Sequence, residues 1–158
     1  MYIVSYTILI ILVAVYFTSL NNYNTGKDVI DYPLRSFYHA NLAHLIANSI
    51  SFYNLSFLEG ILGSKKYLFA IMFIWIVSSL LLYGYHLINP SRKIYTVGFS
   101  AIIFGLIVVF YSLLNQSTTM TLTRLIIIIL PQLFVPNISH EGHICGIIAG
   151  FLYAKIFL

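Results

Sequence analysis

The chain has 158 residues, of which 60% are hydrophobic and only 8% are charged. An ordinary soluble domain has roughly 45–50% apolar and about 25% charged residues, so this composition excludes a fold of that class. The formal net charge is +4, but the eight basic residues are scattered and form no stripe of the kind that binds nucleic acid. We therefore expect an integral, multi-pass membrane protein that contacts the lipid bilayer and no nucleic acid.

Apolar stretches predict six transmembrane helices, because a helix needs about 20 apolar residues to cross a hydrocarbon core about 30 Å thick. In chain order the helices are expected at about residues 1–20, 41–58, 67–87, 99–114, 120–135 and 143–158. The loops or turns between them are expected at 21–35, 60–66, 89–97, 115–119 and 136–142. Six such helices leave no room for a soluble domain, so residues 1–158 are predicted to form one membrane domain.

The last three predicted helices are short for a full crossing of the bilayer. Helices of this length can begin within the membrane beside a water-filled cavity, or the bilayer can thin around them. Pro131 is expected to kink or end the fifth helix. With the N-terminus cytoplasmic, four basic residues fall on each side, so the positive-inside rule assigns no orientation, and the type of membrane stays open.

The second predicted helix carries polar residues, which are costly in lipid and therefore mark a candidate functional site. His44 and Asn48 are four residues apart, so they share one face from which both can donate hydrogen bonds. His39 lies at the junction with the preceding loop, off that face. A structural role is the alternative, since His and Asn side chains can also hydrogen-bond neighbouring helices together.

The fourth predicted helix begins with Gly98-Phe99-Ser100-Ala101. A serine at a helix N-terminus lies among free backbone N–H groups, which stabilise developing negative charge. The small residues around it leave the hydroxyl accessible. Taken by itself, however, this pattern favours an N-cap serine.

The sixth predicted helix carries His143, Gly146 and Gly150 at positions i, i+3 and i+7, on one helical face. Two glycines at this spacing allow close helix approach in lipid, so His143 would lie near the helix that packs there. If that helix is the fourth, the imidazole can reach Ser100. Metal binding by His140 and His143 is an alternative, but their spacing is one residue short of H-E-x-x-H, and we expect no metal.

Together the three polar clusters supply a nucleophile, a base and an oxyanion site. His143 can take the proton of Ser100 and then protonate the leaving amine. His44 and Asn48, with the backbone N–H of Ser100, can hold the oxyanion. All four acidic residues lie in loops or at helix ends, so the residues indicate a Ser–His dyad rather than a triad. This chemistry needs no cofactor.

The motifs H-x4-H-x3-N, G-x-S and H-x2-G-x3-G, on the second, fourth and sixth predicted helices, resemble those of the rhomboid intramembrane serine proteases. The resemblance covers about residues 33–155. It implies that Ser100 is the nucleophile and His143 the general base. It also implies that His44 and Asn48 stabilise the oxyanion.

Further positions match residues that support the active site in this family. Gly98 matches the glycine two residues before the serine, and Gly146 and Gly150 match the glycines that let the fourth and sixth helices touch. Phe104 matches an aromatic residue that packs on the catalytic imidazole. A tyrosine is frequent there, so this chain would keep the stacking and lose a hydroxyl.

Two more matches lie in or next to the first loop, and a third lies at the end of the second predicted helix. The resemblance implies that His39 braces this loop, that Arg35 belongs to a Trp-Arg pair, and that Glu59 closes the second helix. Leu34 replaces the tryptophan of the pair, so we expect the loop to be anchored less firmly in the membrane interface. No seventh helix or extra-membrane domain is expected.

The sequence thus predicts an all-α, polytopic, six-helix rhomboid-like bundle that cleaves other proteins in or near their transmembrane segments. The fifth helix and the loop at 136–142 are the expected substrate gate, an assignment taken from the resemblance. The alternatives are an inactive rhomboid-like protein that binds membrane clients, a small transporter or channel, and an aspartyl or zinc protease. Ser100 and His143 argue against the first, and the lack of repeated halves or of the corresponding motifs argues against the others. The natural substrate and the oligomeric state stay open.

Overall fold

A computed structural model of the chain describes residues 2–22, 24–90, 97–134 and 139–158. Within these ranges the secondary structure is helical throughout, which confirms the predicted all-α class. The helices are α1 (Ile3–Tyr16), α2 (Asp28–Arg35), α3 (Leu42–Asn54), α4 (Phe57–Leu62), α5 (Ser64–Ile88), α6 (Ser100–Leu113), α7 (Thr118–Ile129) and α8 (His140–Phe157). Short 3-10 segments follow α1 at Ser19–Asn22 and α7 at Leu130–Phe134.

The polar segment at 21–35 contains helix α2, where the sequence predicts only a loop. Asp28 and Asp31 lie in its first turn and Arg35 in its last turn, which complements the helix dipole at both ends. Three residues of α2 are buried against the rest of the protein, namely Asp31, Tyr32 and Arg35. The loop prediction is wrong here because polar composition conceals a short helix that tertiary contacts stabilise.

The predicted second helix is divided, and the predicted turn at 60–66 is largely helical. Helix α3 ends at Asn54 and α4 follows after a two-residue break. Only Gly63, with a φ of +77°, separates α4 from α5. A left-handed residue of this kind suits glycine and allows the chain to change direction between two helices. The predicted loop at 89–97 lies largely outside the described residues, as do residues 136–138 of the predicted loop at 136–142. The rest of that loop prediction is wrong, because Ser139 caps α8 and residues 140–142 already belong to this helix.

Helix α5 has 25 residues and is the one described helix that is long and apolar enough to cross a membrane. Helices α1 and α6 and the run Thr118–Gln132 are also apolar, but each is shorter than a full span. The predicted count of six transmembrane helices is therefore not established by length and composition, and it stays a prediction.

The hydrophobic core lies where α6 packs against α8 and α5, with α1 and α3 on one side. Phe52, Tyr67, Phe99, Ile102 and Leu106 are fully buried there. Helix α7 makes only a small contact with α6 and exposes several isoleucines. This packing places the N-terminal ends of α6 and α8 next to each other, which is the arrangement that the candidate site requires.

Candidate active site

Glycine residues bring α6 and α8 into backbone contact. A Cβ atom added at Gly146 would overlap the Ala101 carbonyl, and one added at Gly150 would lie 2.8 Å from the Cα of Gly105. Gly146 and Gly150 therefore lie at the close contact between α6 and α8, as the sequence predicts. Gly105 was not anticipated, although its spacing four residues after Ala101 is a small-x3-small signal for helix contact.

This close approach brings Ser100 and His143 together. Ser100 is the first residue of α6 and is half-buried, and His143 is the fourth residue of α8 and is buried. The Ser100 Oγ and the His143 Nε2 are 3.0 Å apart, which is hydrogen-bonding distance. A serine in this position can lose its proton to the imidazole, so the pair has the geometry of a nucleophile and its base.

The imidazole of His143 is held by packing rather than by an acid. The ring of Phe104 stacks on it, with centroids 4.5 Å apart and a tilt of 33°. The Nδ1 atom of His143 is buried and has no hydrogen-bond partner in the described part of the chain. Glu141, the acid nearest in sequence, accepts a 3.5 Å hydrogen bond from the Ser139 hydroxyl. The described residues thus form a Ser–His pair without a third, acidic member.

His140 lies one turn before His143, and their ring centroids are 6.4 Å apart. Across the described ranges no three His, Cys, Asp or Glu side chains are grouped in a way that could hold a metal ion. Among these residues, His140 and His143 therefore lack the further ligands that a metal site would need.

The backbone before Ser100 is shaped by Gly98, which has a φ of +115°. A Cβ atom there would lie 2.6 Å from the His44 Cε1 atom and 3.1 Å from the Asn48 Nδ2 atom. His44 and Asn48 therefore lie directly against the segment that leads into the serine. The Asn48 Nδ2 is buried without a hydrogen-bond partner among the described residues, so it is a donor available to a bound group.

Arg35 contributes its backbone to the same segment. Its carbonyl accepts a 3.0 Å hydrogen bond from the Gly98 N–H, which ties the end of α2 to the approach to Ser100. Its guanidinium lies over the Tyr32 ring, 5.2 Å from the ring centroid. Burial acts to raise the pKa of Asp31, but hydrogen bonds from Thr25 and the nearby Arg35 charge hold it below its usual value.

His39 lies in the loop just before α3 and is almost fully buried. The side chain of Asn21 clamps its backbone, accepting from the N–H at 2.8 Å and donating to the carbonyl at 2.9 Å. The His39 ring is edge-on to His44, with centroids 5.2 Å apart. Burial, together with the nearby His44, lowers the pKa of His39 to about 4. The sequence offered no signal for the role of Asn21.

Glu59 lies in a separate cluster that joins α1, α4 and α5. Its carboxylate accepts hydrogen bonds from the backbone N–H groups of Val4 and Ser5 and from the hydroxyls of Ser5 and Ser64, at 2.7 to 3.0 Å. Burial acts to raise the pKa of Glu59, but these hydrogen bonds hold it below its usual value. None of these partners belongs to the Ser100 cluster. Glu59 therefore stabilises the junction of α1, α4 and α5 and has no contact with the candidate site among these hydrogen bonds.

A small cavity of about 20 Å³ reaches Ser100 from the side of α2 and α5. A space of this size accommodates about one water molecule. Its lining includes the serine residues Ser36, Ser78, Ser79 and Ser100. Ser100 therefore borders a small space lined by several hydroxyl groups within an otherwise apolar bundle.

A family model described as the rhomboid domain matches residues 26–158. A protein of Acanthamoeba polyphaga mimivirus, provisionally named a rhomboid protein, is 54% identical over 154 residues, which is 98% of this chain and 90% of that protein. The Arabidopsis thaliana protein named Rhomboid-like protein 14, mitochondrial, is 32% identical over 82% of this chain and 44% of its own length. Rhomboid-like protein 15 of the same plant is 30% identical over 74% of this chain and 34% of its own length. The chain thus spans most of the viral relative and less than half of the two plant proteins.

Proposed function

This chain belongs to the rhomboid family of membrane proteins, and on that premise we propose that it is a serine endopeptidase. Its substrates are other membrane proteins, which it cuts within or beside their transmembrane segments. The observation that carries the proposal is the 3.0 Å distance between the Ser100 Oγ and the His143 Nε2. A serine is inert unless a neighbouring base takes its proton, and this contact supplies one.

The proposed arrangement in the bilayer is a multi-pass bundle of six helices, namely α1, α3, α5, α6, α7 and α8. The apolar surfaces of α1, α5 and α7 face the lipid, and their exposed isoleucines and leucines support this. Ser100 lies at the N-terminus of a helix shorter than a full span, so α6 begins below one membrane face. Helix α2 covers that end, and water reaches the serine through the polar cavity beside it.

In the proposed first step, the Ser100 Oγ attacks the carbonyl carbon of the scissile peptide bond, and its proton passes to the His143 Nε2. The carbonyl oxygen becomes an oxyanion that is held by the Asn48 amide, the His44 ring and the Ser100 N–H. The C–N bond then breaks, and His143 gives its proton to the leaving amine. The acyl group stays on Ser100 as an ester.

In the second step, a water molecule attacks this ester while His143 takes its proton. The second oxyanion collapses, the bond to Ser100 breaks, and His143 returns the proton to the serine oxygen. The products are a new carboxyl terminus and the regenerated enzyme. No metal ion or nucleotide takes part in this cycle.

The substrate helix must unwind before its backbone can enter the site, because the carbonyls of a helix are engaged and sterically shielded. We place the entry gate at α7 and the following loop at 136–142. The small contact between α7 and α6 supports this assignment, since little packing must be lost for α7 to move. Residues 136–138 of the loop lie outside the described ranges.

The proposal is tested by labelling the purified protein with a fluorophosphonate probe and by cleavage of a model transmembrane substrate. We expect the wild-type protein to be labelled and active, and Ser100→Ala to show neither. Ser112→Ala is the matched control, because it removes a hydroxyl of the same helix that donates to the Val108 carbonyl. A folded wild-type protein that is neither labelled nor active, beside a protease that is labelled, would overturn the proposal in favour of a client-binding role.

A further inference from the structure

Trp75 is the only tryptophan of the chain and lies in α5. Its indole N–H donates a 2.8 Å hydrogen bond to the carbonyl of Pro33 in α2, 42 residues away in sequence. The indole nitrogen is a donor only, so the bond requires the ring to face this carbonyl. Trp75 therefore ties the first-loop helix to a long helix of the core.

This tie continues through the backbone of α2 to the candidate active site. Arg35 follows Pro33 by two residues, and its carbonyl accepts the hydrogen bond from the Gly98 N–H. Gly98 in turn lies against His44 and Asn48. Two hydrogen bonds and one short helix segment thus connect the indole of Trp75 to the wall proposed to hold the oxyanion.

A second route runs through aromatic rings. The ring of Phe37 is edge-on to Trp75, with centroids 5.2 Å apart, and it also contacts the ring of Phe99 at 5.8 Å. Phe99 is fully buried and immediately precedes Ser100. The backbone route ends at residue 98 and the ring route at residue 99, so both converge on the turn into the nucleophile.

From this convergence we propose that Trp75 is a positioning residue, which fixes the Gly98–Ser100 turn in the geometry that catalysis needs. It acts through Pro33 and Phe37 and does not touch the substrate. The inference rests on the proposed function, because it assigns Trp75 a part in that reaction. Another tie of α2 to α5, the 2.7 Å hydrogen bond between the Tyr32 hydroxyl and the His86 Nδ1, holds α2 without a ring contact to Phe99.

The test compares Trp75→Phe, which keeps a ring and removes the N–H donor, with Phe73→Leu. Phe73 lies on the same helix, but its ring contacts Tyr153 and Phe157 of α8. The measurements are kcat and KM for a model transmembrane substrate, and hydrogen exchange of peptides covering residues 97–103. A third variant, Phe37→Leu, interrupts the ring route and leaves the indole bond in place.

We expect Trp75→Phe to lower kcat by about 5- to 10-fold, the scale of one hydrogen bond, with KM changed less than about twofold. Exchange at residues 97–103 should become faster by a similar factor. The reason is that the Gly98 N–H donates its hydrogen bond to the Arg35 carbonyl, which is held less firmly in this variant. Phe37→Leu should act in the same direction. Phe73→Leu should leave exchange at 97–103 and kcat close to the wild-type values.

The failure of this inference can be told apart from failure of the proposed function. If the wild-type protein is active and Trp75→Phe matches it in kcat and in exchange, the positioning role is wrong and the protease proposal stands. If the wild-type protein is neither labelled nor active, the protease proposal falls, and the part of Trp75 in positioning the site for that reaction falls with it. Exchange at 97–103 then still decides the coupling: faster exchange in Trp75→Phe supports it, and unchanged exchange overturns it.

Discussion

The Ser100 cluster and the Glu59 cluster both bury polar groups inside an apolar bundle, but they treat those groups in opposite ways. The carboxylate of Glu59 accepts hydrogen bonds on both oxygens from two backbone amides and two hydroxyls. Near Ser100, the Asn48 Nδ2 and the His143 Nδ1 are buried without partners in the described part of the chain. Buried polar groups are normally satisfied, and leaving one unpaired costs stability.

The difference separates a structural from a functional use of polarity in a membrane protein. A fully bonded carboxylate joins helix ends and has no capacity left for a ligand. In the proposed reaction, the unpartnered donor of Asn48 would serve a group that is present only during catalysis, namely the oxyanion. Substitutions near Ser100 should therefore change activity at nearly constant stability, and substitutions at Glu59 should change stability at nearly constant activity.

The largest expected effect is that of His143→Ala, which should lower cleavage by at least about 1000-fold, because the serine loses its base. Thermal stability should change less than activity, since the hydrogen bond that this side chain makes in the described part of the chain goes to the Ser100 Oγ and not to a structural partner. The comparison is His86→Ala, which removes a buried imidazole that is bonded to Tyr32. That variant should lower the midpoint of thermal unfolding while the folded protein still reacts with a fluorophosphonate. Equal losses of stability in His143→Ala and His86→Ala would contradict the distinction between a functional and a structural histidine.

Asn48→Ala and His44→Ala should each lower kcat by about 10- to 1000-fold, the scale for loss of an oxyanion donor. Stability should be preserved in Asn48→Ala, because an unpaired buried donor is removed. Asn54→Ala on the exposed side of α3 is the control and should behave as the wild type. Normal turnover of both site variants would assign these side chains to helix packing instead.

Glu59→Gln should lower the free energy of unfolding by about 2 to 4 kcal/mol, because the new NH2 group faces donors and leaves buried groups unpaired. The activity of the remaining folded protein should be unchanged. The loss of unfolding free energy is measured by denaturing the protein in mild detergent while its helix content is monitored. Glu141→Gln is the control for stability, since its hydrogen bond from Ser139 is 3.5 Å long. A Glu59→Gln protein with wild-type stability would contradict the structural assignment.

The smallest expected effect is a pH dependence of stability that arises from His39. Its pKa is about 4 in the folded protein against 6.5 for the free side chain, so the unfolded chain takes up the proton first. This contribution is present above pH 6.5 and is lost as the pH falls from there toward 4. In His39→Gln, the midpoint of thermal unfolding should depend less on pH between pH 6.5 and pH 4. Identical profiles for both proteins would show that His39 does not contribute.

Sequence reasoning found the polar residues of the site but not all of their supports. The sequence predicts four residues of the site because helical spacing assigns them to helix faces and helix ends, namely Ser100, His143, His44 and Asn48. Apolar composition continues across the break between α3 and α4, so the sequence predicts one helix where the structure has two. Helix α2 is not predicted, because a short helix in a polar sequence lacks the apolar periodicity that reveals longer ones. Asn21 and Gly105 were missed because their importance depends on which backbone lies opposite them.

The chain by itself determined the membrane class, the all-α fold, the family and the candidate nucleophile and base, because composition, helical period and motif spacing are local properties. Only the tertiary structure decided which helices touch and which supports reach the site. The hydrogen bond from Trp75 to Pro33 joins residues 42 apart, and that from Ser5 to Glu59 joins residues 54 apart. No local pattern specifies such partners, since they depend on the packing of helices whose order in space is independent of their spacing in sequence.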